Sequence, residues 1–229
     1  MPTVNISLVR EHTEVIRPPR ALWVPFMLGR PLGVPGDAAF QRRVVMAALS
    51  LFERSAGPVL EDYPEEAPAV VSAEEMEGMA CAVDFSSERT DVPLPTLVLE
   101  EIAQLRSWYD VALARRGRTA LGVAGASPED LARFLGAWAD GTAVPSYRAD
   151  LPLSNALRLA CEELKVFYFE ANAGQPGTRS PDSIQRWFWH DTAAGRLFFA
   201  LKAATERHAD RELRHFANEN LLPRIARHE

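Results

Sequence analysis

The first sixty residues constrain this chain more than any other stretch, because they carry a fragment of an open α/β sheet. Thr3-Val4-Asn5-Ile6-Ser7-Leu8-Val9 alternates in polarity and is rich in β-branched residues. Ala21-Leu22-Trp23-Val24-Pro25-Phe26 is a short apolar run. Residues 37–54 read as an amphipathic helix: Asp37 is a good N-cap after Pro35-Gly36, and Phe40, Val44, Ala47 and Leu51 recur at helical spacing. Val59-Leu60 reads as a brief strand after Gly57-Pro58. Two strands alone do not make a stable sheet. The missing strands are therefore expected from another chain, or the ends of the sheet are expected to be covered in an unusual way.

The rest of the chain reads as helical. Pro93 and Pro95 precede a long helix over roughly 96–116, with Val98, Ile102, Leu105, Tyr109 and Ala112 as its buried stripe. Ser127-Pro128-Glu129-Asp130 combines an N-cap serine, a first-turn proline and first-turn acids. Further helices are expected over 154–173, from Ser180-Pro181-Asp182 to about 204, and over 210–222, where Pro223 closes the last. Met79 to Phe85 reads as a short strand. The expected fold is thus a partial open parallel α/β sheet at the N-terminus followed by a mainly α-helical C-terminal lobe. Its domains are 1–62, a linker with a short strand over 63–95, and a helical domain over 96–229.

Composition excludes several functions. No apolar run approaches the ~20 residues of a membrane span. The N-terminus lacks the basic and apolar regions of a signal peptide, so a cytoplasmic protein is the default expectation. The formal net charge is −6, which argues against nucleic acid as a partner. Cys81 and Cys161 have no CxxC partner and read as small buried hydrophobes rather than a disulfide framework, a zinc site or nucleophiles.

Charge is uneven along the chain. Residues 1–54 carry seven arginines (10, 17, 20, 30, 42, 43 and 54) against four acids. Residues 55–88 carry nine acids and no Lys or Arg. One reading is a solvated acidic linker beside an ordinary basic surface. The other is an anion site, since the arginine fork suits carboxylate or phosphate.

Three segments can carry chemistry. Arg10-Glu11-His12-Thr13-Glu14 follows the first strand, and open α/β sheets bind ligands beyond the carboxyl ends of their strands. His12 and Glu14 are thus candidates for acid–base work, or for metal ligation with residues from elsewhere. A solvated loop is the plain alternative. Arg17-Pro18-Pro19-Arg20 holds two arginines on a stiff turn, and Gly29-Arg30-Pro31-Leu32-Gly33 permits positive φ and close backbone approach. The candidate site is therefore His12 and Glu14 as catalytic groups, with Arg17, Arg20 and Arg30 binding a small anionic substrate. His190 shares a helix face with Trp187, Ala194, Leu197 and Leu201, which suits a hydrogen-bonded core residue better than a ligand. The aromatics Phe167, Tyr168, Phe169, Trp187, Phe188, Trp189, Phe198 and Phe199 read most simply as the core of the helical lobe. No Ser-His-Asp set, nucleotide fingerprint or cysteine redox pair is legible.

A resemblance adds to this. The runs Pro2 to Leu8, Arg17 to Phe26, Gly29 to Gly33, Pro35-Gly36-Asp37 and Gln41 to Val45 resemble the C-terminal part of the glycine/sarcosine/betaine/D-proline reductase selenoprotein B family. Trp108-Tyr109-Asp110, Arg115 to Thr119 and Trp187-Phe188-Trp189 with Gly195 resemble the helical extension of distant bacterial members. The resemblance implies an oxidoreductase subunit working on amino-acid-derived substrates. In that family a selenocysteine or cysteine attacks an activated carbon, from an upstream segment that has no counterpart here. Cys81 and Cys161 align with no such position. A second chain carrying the N-terminal α/β half is therefore implied, with an active site shared near His12, Glu14, Arg17, Arg20 and Arg30. A catalytically silent scaffold, or a metal-dependent subunit using His12 and Glu14, are the alternatives. No cofactor is assigned.

Overall fold

The computed structural model describes residues 2–68, 89, 91–176, 181–223 and 226. The chain divides into two compact units, Met1–Ser72 and Ala73–Glu229. The strand expected over 79–85, with Cys81, lies outside the described residues.

The first unit is built on three parallel strands in the order β1 (Asn5–Ser7), β2 (Arg20–Trp23), β3 (Val59–Asp62). Helix α1 (Arg10–Ile16) joins β1 to β2, and α2 (Ala38–Ser50) with a 3₁₀ turn (Leu51–Glu53) leads to β3. The segment read as a loop over Arg10–Glu14 is therefore helical. The brief strand read at 59–60 is a full third strand, with Leu22 registered between Ile6 and Glu61. The partial open parallel sheet thus has three strands among the described residues, one more than the two counted as too few to cohere. Three strands packed on a helix meet the minimum for independent stability.

Alternation gives the sheet two unlike faces. Leu22, Val24 and Phe26 meet Phe40, Val44, Ala48 and Leu51 of the α2 layer, all buried. Tyr63, read as the start of a linker, closes this core. Its ring centroid is 5.8 Å from Phe26 and 6.2 Å from Phe40. Gly33 adopts φ +82, and a Cβ there would sit 2.5 Å from the Phe40 ring, so the Gly29–Gly33 turn admits the aromatic cluster. The α1 face is polar. Ser7 and Thr13 share a hydrogen bond, and Thr13 is the one buried residue of α1.

The second unit is helical: α3 (Leu94–Arg116), α4 (Pro128–Ala139), α5 (Leu153–Gly174), α6 (Pro181–Arg186), α7 (Ala193–Thr205) and α8 (Arg211–His215). The expected stripe of α3 is buried as read, and the expected cap forms, with Ser127 Oγ accepting from Asp130 N at 3.1 Å. Helix α3 lies along α5 so closely that a Cβ on Gly174 would fall within the Trp108 carbonyl. Of the aromatic cluster, Phe167, Tyr168, Phe188 and Phe198 have no exposed surface, whereas Phe199 is 38% exposed.

The helix expected to run unbroken to 204 is interrupted. Trp187–Asp191 forms a π-helical turn, and Thr192 starts a new helix by accepting from Gly195 N at 3.0 Å. The phase shift turns His190 out to solvent, correcting its placement on the apolar face. The last helix also changes pitch, into a π-helical turn over Phe216–Asn220. Among the described residues, no helix is long and apolar enough to cross a membrane.

Candidate functional site

In the first unit, a groove of about 290 Å³ runs beside α1, over the start of β3. Its origin is geometric. A helix is about 10 Å wide and strands are spaced about 4.8 Å, so one helix covers about two strands. Helix α1 packs on β2, its Arg10 reaches across to Asp62 of β3, and the groove runs between α1 and the start of β3. Arg10, Thr13, Glu14, Arg17 and Pro18 form one wall, and Pro58, Val59 and Leu60 the other.

The charges in this groove are partly consumed. Arg10 Nε donates to Asp62 Oδ1 at 3.0 Å, and its Nη1 donates to Glu14. These bonds to Asp62 and Glu14 raise the guanidinium pKa further above its ordinary value. The Thr13 hydroxyl donates to Val9 O at 2.9 Å. Arg17 ends α1 with φ +52, its N–H donating to Thr13 O, and its exposed side chain is in no ion pair among the described residues. Arg17 is thus the groove arginine with no ion pair among the described residues, and Glu14 and Arg10 lie beside it.

The five residues singled out from the sequence separate. Glu14 and Arg17 line the groove. His12 is exposed, about 200° around α1 from Glu14, because residues two apart on a helix face nearly opposite ways. His12 and Glu14 therefore do not converge on one ligand. Arg20 turns to the other sheet face, where Nε donates to Leu51 O at 2.8 Å and Nη2 to Arg54 O at 3.0 Å. Arg20 acts there as a clasp on the end of α2. Arg30 is half-buried in the Met27–Gly33 turn and is not in the groove lining. Among the described residues, no three His, Cys, Asp or Glu side chains gather as a metal site.

Sequence reading passed over Arg10 and Thr13, which share the groove-facing side of α1. The 10, 13, 14, 17 spacing was the available signal. It is visible only once the segment is recognised as a helix.

The second unit holds three glutamates that sequence reading also missed: Glu101, Glu163 and Glu170 are buried. Glu101 accepts from Tyr168 Oη at 2.7 Å, Ala193 N at 2.6 Å and Ala194 N at 3.2 Å, so it caps α7 from a neighbouring helix. Burial raises its carboxyl pKa, and the bonds from Ala193, Tyr168 and Ala194 oppose that rise. Burial likewise pushes the Tyr168 phenol up, which keeps it a donor. Glu163 accepts from Gly122 N and Ala124 N. Glu170 accepts from Thr119 Oγ1 at 2.7 Å and Ala120 N at 3.0 Å. Two carboxylates seven residues apart on α5 thus stitch down the loop after α3. Their signal was positional, because each lies within an apolar helical stripe. Burial pushes the Cys161 thiol up, consistent with a packing role.

No family model, curated protein or solved structure matches the chain.

Proposed function

We propose that this chain is a subunit of a heteromeric, reductase-like oxidoreductase acting on an amino-acid-derived or other small anionic substrate. A second chain packs beside β3 and completes the groove at Glu14 and Arg17. The observation that carries the assembly is the groove between α1 and β3, beside strand edges and apolar α1 residues that are open among the described residues. Among the described residues β1 and β3 pair on one edge only, and Val15 and Ile16 of α1 are 81% and 59% exposed. Apolar side chains so placed are stabilised by a partner surface. The redox chemistry rests on the sequence resemblance.

In this reading Arg17 binds the substrate anion, and Glu14 orients it or carries a proton. The reacting chalcogen comes from the partner. The engagement of Arg10 and Arg20 in structural bonds favours a second reading, a scaffold subunit without chemical duties.

Native purification followed by mass measurement tests the assembly. A stoichiometric complex with an α/β chain is expected, with cross-links from that chain to α1 and β3. A lone monodisperse monomer with full activity would overturn it. Glu14→Gln and Arg17→Ala then separate the readings: lost turnover in an intact complex supports the shared site, and unchanged turnover selects the scaffold.

A further inference from the structure

A second groove, larger than the one beside α1, lies in the helical unit and belongs to neither reading above. It encloses about 660 Å³ between the first turns of α5, helix α8 and the π-helical turn that follows. Ser154, Asn155 and Arg158 line one side, and Arg211, His215 and Asn220 the other. We propose that this groove binds a small phosphorylated ligand, a phosphate monoester, through Arg158, Arg211 and His215.

Three observations support the assignment. First, the basic side chains are unspent. Arg133 pairs with Asp130 and Arg148 with Asp150, whereas Arg158, Arg211 and His215 have no ion pair or hydrogen bond among the described residues. Second, the one acid in the lining, Glu212, is held by Ser154 Oγ at 3.1 Å. Two guanidinium groups thus stand against one carboxylate, the net positive charge suits an anion, and the His215 imidazole adds a hydrogen-bonding nitrogen. Third, the remaining lining is built of donors and a floor. Asn155 and Asn220 add amide donors, and buried Phe216 with Pro152 offers apolar surface to the body of an ester. Helix α5 opens at Pro152 with no side-chain cap, so its first-turn N–H groups add positive potential on the same side. The π-helical turn sets Asn220 at the rim, and such turns recur at functional sites. Two arginine forks match the three terminal oxygens of a phosphoryl group better than the two of a carboxylate.

The test is calorimetric titration of the full chain with inorganic phosphate, at constant ionic strength set with chloride. Saturable binding is expected, with Arg158→Ala and Arg211→Ala each weakening it about tenfold. Arg133→Ala, outside the groove, should leave it unchanged. Amide chemical shifts of His215 and Asn220 should move with the same saturation curve. The two arginines are exposed, and an unchanged circular dichroism spectrum verifies folding. Absence of saturable binding, equal loss in Arg133→Ala, or acetate binding as tightly as phosphate would each overturn the proposal.

Discussion

The two units hold their polar groups together in opposite ways. In the sheet unit the ionic contacts are on the surface: Arg10 with Asp62, Arg43 with Glu65, Arg54 with Glu61. Exposed pairs of this kind contribute little to stability and are screened by salt. In the helical unit the decisive carboxylates are buried and take backbone N–H groups as partners. Removing such an acceptor strands several donors at once. Apolar surface divides the same way. The helical core buries its aromatics, whereas α2 exposes Val45, Met46, Leu49 and Phe52 at helical spacing on the side away from the sheet. Among the described residues, the helical unit keeps most of its aromatics inside, while the sheet unit leaves an apolar row exposed on the outer side of α2.

That contrast can be broken most decisively at Gly174. Gly174→Ala forces a methyl group into the Trp108 carbonyl and the backbone of Ala112. A loss of about 3 kcal/mol is expected in urea unfolding followed by tryptophan fluorescence. An unchanged midpoint would contradict so close an approach of α3 to α5.

Glu101 ranks next. Glu101→Ala orphans the N–H groups of Ala193 and Ala194 and the Tyr168 hydroxyl, at a cost of about 2 kcal/mol. The pH dependence carries a definite sign. A carboxyl whose folded pKa lies above its unfolded value contributes stability below that unfolded value, near 4.5, and the contribution is lost as pH rises through the folded pKa. Stability measured upward from pH 4.5 should fall more steeply in the native chain than in Glu101→Gln, which does not titrate. Parallel curves would sink this account of Glu101.

On the sheet unit, Leu49→Glu and Phe52→Glu should change unfolding by less than about 0.5 kcal/mol, since both side chains already meet water. The purified complex should stay intact in sedimentation, because the proposed partner lies on the α1 side of the sheet. Loss of association would move the interface to the outer face of α2. The smallest effect is expected from Arg43→Ala. It frees Glu65, whose carboxyl Arg43 and Tyr63 hold below its ordinary pKa. Its unfolding midpoint should match the native one in 1 M salt, and a salt-independent difference would contradict a screened surface pair.

Much of the fold was legible because its signals are local. Phe40, Val44 and Leu51 face inward as their spacing requires, and Ser127 caps α4. The same stripe logic overlooked the outer row of α2, since one apolar face was enough to explain the helix. The candidate site was less legible. Reading residues 10–14 as a loop put His12 and Glu14 together, and one turn of helix put them on opposite sides. Arg17 and Arg20 looked equivalent on their proline turn. Two of the intervening bonds are prolyl and fix φ, yet the residues end up serving different faces of the sheet.

The sequence by itself determined the class of the molecule: parallel strands with a crossover helix, then helices whose apolar stripes and caps mark most of their bounds. Those properties depend on residues within a turn or two of one another, where periodicity and propensity act directly. Only the tertiary structure decided that β3 joins the sheet, that Glu101 of α3 caps the start of α7, and that Arg158 and Arg211 line one groove. Each of these joins residues far apart in the chain. The free energy that selects them comes from the desolvation and pairing of groups that meet only after folding.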